Sequence, residues 1–126
     1  MNLTPLDTMT QFFTAMNQCN LEAALNLYEP SASFVKQPGM VVSGKAALRE
    51  ALAGFMALKP VLASEAHQIV ESGDLALYCI RWSLQGTDAE GKSMQMNGCS
   101  SDVLRRQADG NWLIAVDNPW GTDIVA

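Results

Sequence analysis

The spacing of apolar residues changes once along this chain, near Pro60, from helical to alternating. Before that point Thr4-Pro5-Leu6-Asp7 reads as a helix start, with Thr as N-cap, Pro at the first helical position and Asp7 closing a capping box. Leu6, Met9, Phe12, Phe13 and Met16 then share one helical face. Asn20 restarts a short helix carrying Leu21, Ala24, Leu25 and Tyr28, which Pro30 is expected to stop. Ser33–Lys36 reads as a short strand before a Gln37-Pro38-Gly39 turn, and Ser43 as the cap of a third helix with Leu48, Leu52, Phe55 and Met56 on one side. After Pro60 the pattern predicts strands over 61–71, 75–86, 92–106 and 112–117, with turns at Ser72-Gly73 and Ala108-Asp109-Gly110. About three helices followed by a meander of long strands predict an α+β fold, with the helices on one face of an antiparallel sheet. Residues 1–126 read as a single domain.

Charge and composition narrow the function classes. Thirteen acids against eight bases give a net charge of −5, and no basic cluster exceeds Arg105-Arg106, so no nucleic-acid partner is expected. No apolar run approaches a membrane span, and the first residues lack the pattern of a signal peptide. Cys19, Cys79 and Cys99 fit neither a zinc site nor a CxxC redox motif, and reduced thiols in a cytoplasmic protein are expected. His67 is the sole histidine and is expected at solvent or an interface; no metal site and no cofactor are expected. Serines without a suitably placed histidine do not support a Ser-His-Asp hydrolase, and no glycine-rich phosphate loop exists.

Pairing Gly86 with Lys92 puts Ala76, Tyr78, Ile80, Trp82, Leu84, Met94, Met96, Gly98, Ser100 and Asp102 on one sheet face. The opposite face carries Cys79, Arg81, Ser83, Gln95, Asn97, Cys99 and Ser101, with Cys79 facing Cys99. Asp102 is the misfit on the apolar face, where a carboxylate must be paired, hydrogen-bonded or protonated.

Several segments together resemble a known family. They are Asn20–Pro30, Ala32-Ser33-Phe34, Ser43–Glu50, Asp102–Arg106, Asp109-Gly110-Asn111-Trp112 and Asp117–Gly121. They are similar to ketosteroid isomerase-like members of the nuclear transport factor superfamily, above all to the SnoaL-like, polyketide cyclase-like proteins. The resemblance spans roughly residues 6–121. It implies a cone-shaped α+β barrel, a curved sheet folded against three helices around an apolar cavity, and commonly a homodimer through the sheet. Steroid isomerisation is not supported: the family's oxyanion-hole Tyr falls on Phe12 and its base on Lys36 or Gln37, leaving Asp102 as the surviving acid. A cyclase working with a single pocket Asp fits better.

Asp102 is therefore the expected acid/base, with Asn118 orienting a carbonyl oxygen. Phe12, Met16, Phe55, Tyr78, Trp82, Met96, Val116 and Trp120 are the expected lining. Asp117 is expected on the other side of its strand, as a turn or salt-bridge residue. The expected ligand is a neutral or anionic, apolar aromatic or polycyclic small molecule. Three functions stand side by side: a proton-transfer, cyclase or dehydratase enzyme on an apolar carbonyl compound; a non-catalytic pocket for a lipophilic metabolite; and a dimerisation domain with a vestigial cavity, using the sheet face of Arg81, Gln95 and Asn97.

Overall fold

A computed structural model describes residues 2–125. The elements run α1 (Pro5–Asn17), α2 (Leu21–Leu25), β1 (Tyr28–Gln37), β2 (Met40–Ser43), α3 (Lys45–Met56), β3 (Val61–Ser72), β4 (Leu75–Thr87), β5 (Ser93–Arg106) and β6 (Trp112–Asp117). A 3-10 turn over Gly121–Ile124 follows. The start of α1 matches its local chemistry: Thr4 caps it and Asp7 completes the capping box.

The six strands form one sheet in the order β2-β1-β6-β5-β4-β3. The long strands β3 to β6 pair antiparallel, but β1 lies parallel to β6. The sheet is thus mixed, correcting the expectation of a purely antiparallel one. The first strand of the chain lies beside the last. The result is a cone-shaped α+β fold that stays open rather than closing into a barrel, with β2 and β3 as its free edges.

Three boundaries differ from the sequence reading. Helix α2 stops at Leu25, so Tyr28 opens β1 instead of extending the helix. Pro30 sits inside β1, where the ladder to β6 is interrupted between Tyr28 and Ser33; a residue without an N–H is tolerated there. Strand β2 has no burial alternation to betray it, being exposed or half-exposed throughout. Ser43 therefore ends a strand rather than capping α3, its hydroxyl lying 2.8 Å from that of Ser33. Gly44 holds the cap position with φ of 88° and no side-chain bond. The Lys45 ammonium instead fixes the start of α3, donating to the carbonyls of Leu25 at 2.5 Å and Tyr28 at 2.8 Å.

The β4–β5 register is offset by two residues from the expected one: Gly86 pairs with Met94, Trp82 with Gly98 and Tyr78 with Asp102. An even offset keeps every side chain on its expected face, because the strand period is two. It does separate the cysteines. Cys79 faces Ser101 and Cys99 faces Arg81, and all three cysteines are free thiols. The inner face of β4 and β5, with Tyr78, Ile80, Trp82 and Leu104, packs against Met9, Phe12 and Met16 of α1 and Leu48 and Leu52 of α3 as one core. Among the described residues no helix is long and apolar enough to cross a membrane.

Candidate functional site

Helices α1 and α3 do not seal the inner face of the sheet, and a cavity of about 80 Å³ remains between them and β4–β5. Phe12, Met16, Phe55, Trp82, Met96 and Trp120 line it, as does Asp102. Met9, Phe13 and Phe34 add to the apolar wall, and Ser100 and Asp117 to the polar end. Three expected residues lie elsewhere. Tyr78 is buried in the core beside the cavity, its ring stacked on His67 at 6.0 Å between centroids. Val116 points outward. Asn118 is buried but does not border the space.

A β-bulge accounts for Val116 and for Asp117. Val103 pairs with Val116 and Leu104 with Ile114, so Ala115 is an extra residue on β6. The bulge reverses the alternation after Ile114, turning Val116 to the outer face and Asp117 into the cavity. Asp117 is thus the residue the sequence reading misassigned. Trp112 to Val116 is apolar at every position, so no alternation shows where the strand slips.

The two acids meet at the closed end. Asp102 is 2% exposed and Asp117 7% exposed. The backbone N–H of Asn118 donates to Asp102 Oδ1 at 2.7 Å, and the Ser100 hydroxyl reaches Oδ2 at 3.5 Å. Tyr28, only 1% exposed, donates its hydroxyl to Asp117 Oδ2 at 2.5 Å. The carboxyls of Asp102 and Asp117 are near enough for each to shift the other's titration. Burial pushes the Asp102 carboxyl well above its ordinary value and the charge of Asp117 pushes it further, against the pull of the Asn118 N–H. Burial raises Asp117 as well, while Tyr28 and Asp102 draw it back. The Tyr28 phenol is driven well above its usual value by burial and by Asp117, which keeps it a neutral donor. Two carboxyls buried side by side do not both ionise freely, and of the two Asp102 is pushed further toward its protonated form.

The turn after β6 holds this arrangement. The Asn118 amide donates to the Gly121 carbonyl at 3.0 Å and accepts from the Trp120 N–H at 3.3 Å. Its side chain is used within the turn and does not border the cavity. Both cavity indoles are anchored by their N–H groups, Trp82 to the Pro119 carbonyl at 2.9 Å and Trp120 to the Val35 carbonyl at 3.1 Å.

Gly98 sets the position of Trp82. A Cβ on Gly98 would lie 3.0 Å from Trp82 Cζ2, so the cross-strand indole lies over a position where any side chain would crowd it. Gly98→Ala is expected to tilt Trp82 and change its fluorescence maximum, with secondary structure intact by circular dichroism. An unchanged tryptophan spectrum would show that the ring is not held by this contact.

A family model described as a SnoaL-like domain matches residues 9–114. No curated protein matches the chain at the sequence level. Among solved structures, the chain is similar to a nuclear transport factor 2-like superfamily protein from Salmonella enterica serovar Typhimurium, with 18% identity and a TM-score of 0.82 over 91% of this chain and 86% of that one. It is also similar to a candidate ketosteroid isomerase from Shewanella frigidimarina, with 26% identity and a TM-score of 0.74 over 88% and 90% of the two chains. A candidate dehydratase of the NTF2-like family from Streptomyces avermitilis shares 21% identity, with a TM-score of 0.75 over 88% and 89%.

Proposed function

Given that the chain belongs to the SnoaL-like domain family, we propose that it binds an uncharged apolar carbonyl compound in its cavity and moves a proton on it, using the Asp102–Asp117 pair as acid and base. The observation that carries this reading is the pair of buried carboxyls, Asp102 and Asp117, both bordering an otherwise apolar cavity. A carboxyl held protonated in an apolar cavity can donate to a carbonyl oxygen, and an adjacent carboxylate can accept a proton from the neighbouring carbon. Isomerisation, cyclisation and dehydration all need such a step, and the Shewanella and Streptomyces proteins are candidates for two of these chemistries. The lining argues against an anionic ligand: none of the residues around the cavity is Lys, Arg or His, so an anion has no counter-charge to receive it. Met9, Met16 and Met96 supply flexible walls that re-pack around a ligand larger than the free space. The free thiols of Cys19, Cys79 and Cys99 support a cytoplasmic location.

The direct test is deuterium incorporation next to the carbonyl of simple ketones in heavy water, starting with cyclohexanone and followed by NMR. Exchange faster than in buffer, and slower in Asp102→Asn, is the expected result. Ketones that bind saturably but never exchange would favour the non-catalytic pocket instead.

A role in self-association is the second reading, favoured by the outer sheet face. Val70, Leu77, Val103 and Val116 form one row across β3, β4, β5 and β6, and Val70, Leu77 and Val116 are solvent-exposed. With Arg81, Gln95 and Asn97 beside it, this face suits a homodimer through the sheet. A monomeric mass by light scattering at micromolar concentration would overturn this reading.

A further inference from the structure

The cavity contains negative charge and nothing positive. Asp102 and Asp117 both border it, each more than nine-tenths buried. Four ion pairs form among the described residues, Glu22–Arg49, Glu29–Arg105, Asp74–Arg106 and Glu90–Lys92, and none uses either acid. The groups facing the pair are the hydroxyls of Tyr28 from β1 and Ser100 from β5, the backbone N–H of Asn118 after β6, and the Tyr78 ring from β4. Helices α1 and α3 add only apolar side chains. A buried carboxylate with no cation beside it is expensive, and this chain supplies hydrogen-bond donors and a proton to the pair but no counter-charge.

The rest of the wall is unusually aromatic: Phe12, Phe13, Phe34, Phe55, Trp82 and Trp120. Both indole N–H groups are already donated to backbone carbonyls, so neither is available to a ligand acceptor. What the rings retain is their π-systems, which attract cations with an apolar surround. The free volume of about 80 Å³ is compact; it is about half of the roughly 150 Å³ in which an apolar cavity accommodates benzene. A trimethylammonium group is about as bulky as benzene, so it enters as Met9, Met16 and Met96 re-pack around it.

We propose that this cavity binds a small organic ammonium group with an apolar surround, either as the whole ligand or as its charged end. The proposal goes beyond the proton-transfer reading and does not rest on it. When the cation enters, Asp102 gives its proton to solvent and both carboxylates face the nitrogen; only the O–H bond of Asp102 breaks. Binding therefore releases a proton and tightens as pH rises through the range in which Asp102 titrates. The net charge of −5 favours the approach of a cation.

Choline and its uncharged carbon isostere, 3,3-dimethylbutan-1-ol, separate charge from shape. Tryptophan fluorescence titrations should show choline binding at least about tenfold tighter than the alcohol. Calorimetry near neutral pH in two buffers of different ionisation heat should show proton release when choline binds the unaltered protein. Asp102→Asn should release none and keep part of the preference through Asp117, while the double variant Asp102→Asn/Asp117→Asn should lose the preference. Proton release is read on the unaltered protein, so it stands even if the double variant fails to fold. Three results would overturn the proposal: no saturable choline binding, an alcohol bound as tightly as choline, or choline binding without proton release. Saturable binding of cyclohexanone with none of choline would overturn it while leaving the proton-transfer reading in place.

Discussion

Asp102→Asn is expected to stabilise the folded protein at neutral and alkaline pH. The Asn amide reproduces the protonated carboxyl: its oxygen accepts from the Asn118 N–H, as Asp102 Oδ1 does at 2.7 Å, and its NH2 donates to Asp117 in place of the carboxyl proton. In the unaltered protein the folded state holds the Asp102 proton to higher pH than the unfolded chain does. Between the ordinary carboxyl range and the raised folded value, the folded state binds more protons, so stability falls as pH rises through that window. Below the window the carboxyl is protonated in both states and the penalty is absent. The variant should lose most of this slope, which chemical denaturation at a series of pH values would read. If the protein turns over a carbonyl compound, the same variant should lose on the order of 10²-fold or more in rate while still binding it. A variant with the parent's pH slope would show that Asp102 is ionised in the fold like an ordinary surface acid.

Tyr28→Phe should be destabilising, and more so at high pH than at low. The hydroxyl is the donor that steadies the buried Asp117 charge at 2.5 Å, and Phe leaves that buried carboxylate with one partner fewer. Stranding a buried hydrogen-bonding group costs about 1–3 kcal/mol, more when it is charged. Tyr28 is also what draws the Asp117 value down, so without it Asp117 takes up a proton more readily. Folded Asp117 in the variant is then raised further above its unfolded value, and the loss should fade toward acid pH and grow toward alkaline pH. The measurement is the difference in unfolding free energy between Tyr28→Phe and the parent at several pH values. A difference independent of pH would mean the hydroxyl contributes packing alone.

How much of this was legible in the sequence depends on the range of the interactions involved. The cap at Thr4 and the faces of β4 and β5 could be read because they rest on local chemistry and on a period of two, which a two-residue slip does not disturb. Tyr28 continues the helical spacing of Leu21, Ala24 and Leu25, and only the parallel pairing of β1 with β6, across most of the chain, makes it a strand residue beside Asp117. Strand β2 is too exposed to show a pattern, and the bulge at Ala115 lies in an all-apolar strand. Asp102 was recognisable as a misfit, but its partner was not. The acid was visible in the sequence; the pair was visible only in the fold.

The account turns on Asp102 being held protonated beside Asp117. Carboxyl carbon NMR titration of the protein labelled at aspartate, with Asp102→Asn and Asp117→Asn used to assign the two signals, measures this directly. The expected result is one carboxyl that remains protonated well above the ordinary aspartate range, assigned to Asp102, with its chemical shift coupled to that of Asp117. Two carboxyls that titrate independently near the ordinary value of about 3.9 would contradict it.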